Sequence, residues 1–150
     1  IAHENDFLTE LIRRDFAGES AGMLAKRCEL YDAFMKFRQE ATLALYHEEK
    51  LFERARGLSP HFEQAVHSLK GTGPVIDVRN FGLMAGIELE PLPGKPGARG
   101  YQVFLKCFAK GVLTRVTGEI IALSPPLIIS KQQIDELAGT LDSVLRNIPK

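Results

Sequence analysis

The 150-residue chain carries no net charge, because 19 lysines and arginines stand against 19 aspartates and glutamates. No field is left over to draw nucleic acid or an anionic membrane surface, so neither is expected as a partner. Cysteine is scarce. Cys28 and Cys107 lie far apart, each inside a helical apolar pattern, which excludes a disulfide-built scaffold and reads as two small hydrophobes in a reducing, cytoplasmic setting. No apolar run approaches the roughly 20 residues of a membrane-spanning helix. The amino end also lacks the basic-then-apolar order of a secretory signal, so a soluble chain is expected. The histidines His3, His47, His61 and His67 have no metal-ligand spacing among themselves or with cysteine, and read as solvated helix residues. No serine stands in a glycine-rich elbow. The lysine and glycines of "PLPGKPGARG" depart from the order of a phosphate loop. A chain that opens on Ile1 reads as a processed product or as part of something longer.

Hydrophobic residues make up 45% and charged residues 25%, enough for one ordinary domain or two very small ones with a real core. Residues 1–70 read as almost entirely helical. Phe7, Leu8, Leu11, Ile12 and Phe16 keep helical spacing after a candidate cap at Asn5. A second helix follows Ser20 with two adjoining apolar stripes, Leu24, Cys28, Tyr31, Met35 and Leu30, Phe34, Phe37, Ala41, Leu45, a width that predicts a central position. The series Leu51, Ala55, Leu58, Phe62, Ala65, Leu69 runs across Gly57 and Pro60 as one bent helix, stopped by Gly71. Beyond Gly71 the period becomes two. "PVIDVRNFGLMAGIELEP" gives two short strands with a bend or bulge. A helix over about residues 99–110 follows, with Val103, Phe104, Cys107 and Phe108 inward. After a hairpin, Ser130 and Gln133 form a capping box for a last amphipathic helix bearing Ile134, Leu137, Leu141, Val144 and Leu145. The order β-β-α-β-β-α predicts an α+β fold, a small, mainly antiparallel sheet with helices packed on one face, preceded by a long helical part.

The hairpin "VLTRVTGEIIALSPPL" is the stretch with a chemical suggestion. Gly118 followed by Glu119 suits a two-residue turn whose first position needs positive φ. That register sets Thr117 opposite Ile120, Val116 opposite Ile121, Arg115 opposite Ala122 and Thr114 opposite Leu123. Val116, Ile121, Thr114 and Leu123 then face the helices, while Arg115 points the other way, beside a small residue and with no acid directly opposite. Two readings stay open: an anion clamp, or an ordinary arginine on a solvent face.

The segments "VIDVRNFGLMAGIELEP" and "GARGYQVFLKCFAKGVLTRVTGEIIALSPPLII", with the capped helix that closes the chain, resemble the carboxyl-terminal part of class III aminotransferases over about residues 41–145. Within that family the similarity is to the ω-amino acid:pyruvate group. The resemblance implies a fold type I small domain from enzymes that use pyridoxal 5′-phosphate and work as dimers or tetramers. They move an amino group between an amine or ω-amino acid and a keto acid. It implies for Arg115 the role of holding the substrate carboxylate. The family's cofactor lysine, its acid against the pyridine nitrogen and its phosphate cup lie upstream of the matched stretch, and none of the nine lysines here stands in a comparable context.

The expectation is therefore a helical segment, residues 1–40, joined to a small-domain-like part, residues 41–150. It contributes Arg115 to an aminotransferase, meets the carboxylate of a keto acid or amino acid in the full enzyme, and is inactive by itself. Homo-oligomerisation through an exposed helical face is a further expectation, and the alternative is a stand-alone, non-catalytic interaction module derived from such a small domain.

Overall fold

The computed structural model describes residues 21–149, and the expected helix around residues 7–16 lies outside them. The chain divides into two compact units, residues 1–50 and 51–150. What is described of the first is one helix, α1 (Ala21–Glu48). Its apolar residues are not central as expected: none of its side chains described is buried, and Leu30, Phe34, Phe37 and Leu43 are more than half exposed. Width of an apolar face shows that a helix has something to bury, and does not supply the surface that buries it.

The second unit contains α2 (Leu51–His67), β1 (Val75–Phe81), β2 (Met84–Leu89), α3 (Ala98–Ala109), β3 (Arg115–Thr117), β4 (Ile120–Leu123) and α4 (Lys131–Arg146). Helix α2 runs through Gly57 and Pro60 without interruption, and Gly71 follows it at φ 79°. All strand pairs are antiparallel in the order β1-β2-β4-β3. The crossover through α3 lets the second hairpin dock by β4, so β3 becomes an edge.

A register shift between Val75 and Asp77 makes Ile76 the extra residue of a bulge. Its effect is specific. Simple alternation would put Val75 and Asp77 on one face, whereas the extra residue turns Val75 into the core and leaves Asp77 on the open side with Arg79. Facing the helices are Val78, Ala85, Ile87, Leu89, Ile121 and Leu123. Phe62, Val66 and Leu69, then Val103 and Cys107 of α3, and Ile134, Leu141, Val144 and Leu145 of α4 close over them. Cys107 is the small hydrophobe its pattern suggests, and burial pushes its thiol up to about 11, out of the nucleophilic range.

Two readings of side-chain direction change. Phe108 is exposed rather than inward and Phe104 only half-buried. Together with Tyr101 they form a ladder of stacked rings with centroids 6.1 and 6.2 Å apart. The apolar stripe of α3 is wider than the sheet beneath it, and the Val103–Cys107 row takes the covered position. The histidines are also more than solvated residues. His61 Nε2 lies 2.7 Å from Asp135, joining α2 to α4, and His67 lies 2.9 Å from Asn80, joining α2 to β1. Arg54 adds a third tie, donating to the carbonyls of Ile128 and Ile129 at 3.0 Å. Ser130 and Gln133 do form the capping box of α4.

Phe62 is fully buried at the meeting of sheet and helices, and its truncation leaves a void that close packing cannot refill. Phe62→Ala is expected to lower unfolding free energy by about 3–5 kcal/mol in a denaturant melt.

Candidate functional site

The helix-free face of the sheet reads as two rows of side chains. Pairing places Arg79 opposite Gly86, Gly86 opposite Ala122 and Ala122 opposite Arg115. The neighbouring row is Asp77, Glu88, Ile120 and Thr117. Two arginines thus stand on one line across four strands, separated by two of the smallest residues.

They are in different electrostatic situations. Arg79 donates through Nη1 to Asp77 at 2.7 Å and to Glu88 at 2.8 Å, and its stem passes over Gly86. Those hydrogen bonds raise the guanidinium above its already high ordinary value and hold the Asp77 carboxyl below its own. Arg115 is exposed at the edge strand and has no carboxylate or carbonyl partner among the described residues. The register predicted from Gly118 is the observed one, so Ala122 stands opposite Arg115 and leaves it space.

The edge strand is held by a contact that spacing alone did not reveal. The Glu119 carboxylate accepts from the backbone N–H of Gly97 at 2.7 Å and of Gly100 at 2.7 Å. These are amides at the start of α3, which have no acceptor within the helix, and the positive end of the helix dipole favours an anion there. Gly97 offers no side-chain cap of its own. Gly100 is required for the approach, since a Cβ there would lie 2.3 Å from the Gly118 carbonyl oxygen. Glu119 therefore docks the tip of the hairpin onto α3, four residues along the chain from Arg115. Glycines at the cap and in the first turn of a helix, and an acid at a hairpin tip, were both visible in the sequence. What joins them is tertiary.

A groove of about 1340 Å³ opens beside Arg115 and takes in Ala122, Gly86, Phe81, Met84 and Ser124. Phe81 is 82% exposed, so the groove has an apolar rim ready to be covered. The Thr114 hydroxyl is buried without a protein partner at the same place. Among the lining residues there is no lysine, histidine or carboxylate, and among the described residues no group of three metal-ligating side chains. The charged groups of the lining are Arg79 and Arg115, which favour an anion. No described helix is long and apolar enough to cross a membrane.

Comparison with known proteins identifies the family. The family model for aminotransferase class III matches residues 38–145. The chain belongs to the class III aminotransferases. It is 55% identical over 108 residues to an omega-aminotransferase of Caulobacter vibrioides, covering 72% of this chain and 25% of that protein. To the omega-amino acid–pyruvate aminotransferase of Pseudomonas putida it is 32% identical over 108 residues, 72% of this chain and 24% of that protein. Among solved structures, a transaminase with L-alanine superposes with a TM-score of 0.67 at 31% identity, covering 71% of this chain and 26% of that one. An adenosylmethionine-8-amino-7-oxononanoate aminotransferase of Methanocaldococcus jannaschii gives 0.66 at 32% identity, over 72% and 26%. The chain thus spans about a quarter of the length of the relatives it matches.

The family implies pyridoxal phosphate in its full-length enzymes. The groove's donors do not fit that group, because an aldehyde cofactor needs an amine to condense with and a carboxylate against its ring nitrogen, and the lining supplies neither.

Two outcomes are expected. Glu119→Ala removes the acceptor of two backbone donors and lowers stability by about 2–3 kcal/mol in a denaturant melt. Asp77, with its pKa depressed in the folded state, contributes stability above its unfolded value that is lost as pH falls below about 4. Asp77→Asn should flatten that acid limb in thermal midpoints measured against pH.

Proposed function

We propose that this chain is the small-domain portion of a pyridoxal-phosphate-dependent aminotransferase of the omega-amino acid:pyruvate type, and that Arg115 is the residue that receives the substrate carboxylate. Residues 41–150 form that portion and residues 1–40 lie outside it. The observation that carries the reading is the state of Arg115: an arginine on the open face of the sheet, with space over Ala122 and no acceptor of its own among the described residues. A guanidinium left unpaired beside a groove is matched by the planar, bidentate geometry of a carboxylate. Membership of the family, and the name of the Pseudomonas putida relative, support a keto acid or amino acid as the source of that carboxylate.

The chemistry of the missing steps limits what the chain does alone. It binds and orients one end of a substrate, and among the described residues the groove lining has no amine or carboxylate to move the amino function, so it is inactive in isolation. Its place is in the cytoplasm. Homo-oligomerisation is part of the reading, since the exposed Leu30, Phe34 and Phe37 of α1 give an apolar surface for a second copy. The same surface favours the second reading, a non-catalytic interaction module.

Titration of the ¹⁵N-labelled chain with pyruvate or β-alanine tests the assignment. Arg115 resonances should shift with an affinity on the order of millimolar or weaker, as for an exposed ion pair. The response should vanish in Arg115→Ala, and the chain with pyridoxal phosphate added should show no turnover. Identical titration curves for wild type and Arg115→Ala would remove the assignment.

A further inference from the structure

We propose that Arg79 is a positioning residue for Arg115: by engaging Glu88 it keeps the nearer carboxylate of this sheet face from capturing Arg115, and so leaves Arg115 free for an external anion. The inference deepens the reading of Arg115 given above and rests on it for its biological meaning.

The geometry is that of the open face. The bulge at Ile76 puts Asp77 on this side, and Glu88 sits beside it in the same row. Between Glu88 and Arg115 there is one intervening strand, whose residue in the Arg115 row is Ala122. Two strand spacings of roughly 4.8 Å each separate β2 from β3. Ile120 stands directly beside Glu88, but Gly86 and Ala122 keep the Arg115 row low, so a glutamate and an arginine lying along that row can meet. Each feature that gives Arg115 room to move therefore also gives it access to an acid of its own sheet. A carboxylate bound within the chain is present at a far higher effective concentration than a dissolved substrate, so Glu88 would win that competition if it were free.

It is not free. Arg79 holds one oxygen of Glu88 at 2.8 Å and one of Asp77 at 2.7 Å through the same nitrogen. Its stem lies over Gly86, with Nε at 3.6 Å from where a Cβ would be. It thus covers the first part of the path from Glu88 toward Arg115, and its charge repels a second guanidinium that approaches. The stem of Arg79 lies in contact range over Gly86, and the small Ala122 leaves the far end open for Arg115. A bland surface ion pair accounts for the Arg79 contacts alone. The shared row, the two small residues between the arginines and the unpaired state of Arg115 together give the pair a use.

Arg115 is followed in the intact chain by its rate of modification with phenylglyoxal, mapped by peptide mass, which reports how free its guanidinium is and does not require that a substrate bind. In Arg79→Gln the rate should fall roughly two- to five-fold, as expected for capture in an exposed ion pair. It should return to the wild-type value when Asp77→Asn and Glu88→Gln are added. Asp77→Asn combined with Arg79→Gln removes one charge of each sign and leaves Glu88 unbalanced at unchanged net charge. It should show the same fall even where Arg79→Gln alone unfolds the protein. Molar salt should erase the difference. An unchanged rate in the folded variants overturns the proposal, as does a fall that the Glu88→Gln change does not reverse. Failure of the Arg115 titration with carboxylates would leave these rates untouched, so the two readings fail separately.

Discussion

The carboxylate of Glu119, held between the backbone amides of Gly97 and Gly100, is the contact on which the open face of the sheet depends. Strand β3 is three residues long, lies at the edge, and pairs with β4 alone. An edge of that length is marginal by itself. Glu119 ties its turn to the start of α3, and α3 is in turn fixed by Val103 and Cys107 in the core. One acid thus satisfies two orphan donors of a helix and stiffens a hairpin, and the missing side chain of Gly100 makes the approach sterically open. The position of Arg115 is inherited from this chain of contacts.

On that fixed edge, charge is arranged asymmetrically. At the far side of the sheet Arg79 is saturated by Asp77 and Glu88, while at the near side Arg115 has no acceptor among the described residues. Gly86 and Ala122 between them keep the face low. The functional interest of the face lies in this contrast more than in either arginine. The chain spans about a quarter of the length of the relatives it matches, and within that quarter the groove on this face has arginine as its charged lining.

Much of this was legible in the sequence wherever local geometry decides. Gly118 with Glu119 fixed the hairpin register, and Arg115 does stand opposite Ala122. Ser130 and Gln133 announced the start of α4, and the change of period at Gly71 marked where helices give way to strands. The parts that were not legible depend on contacts between distant residues. The bulge at Ile76 comes from the pairing of β1 with β2, so simple alternation could not separate Val75, in the core, from Asp77 on the open side. Phe108 carries the periodicity of a core residue and stays exposed, because the sheet under α3 is too narrow to cover it. The same holds for Leu30, Phe34 and Phe37 on α1. Glu119 was read as half of a turn, and the backbone donors it accepts from lie 19 and 22 residues away.

Amide hydrogen exchange at Gly97 and Gly100 in the intact chain tests the role of Glu119 most directly. If the hairpin tip and the helix start are one unit, both amides exchange only through opening of the core, with free energies close to those of the Val103 and Leu141 amides. Exchange at the rate of Gly94, in the loop before α3, would contradict the account.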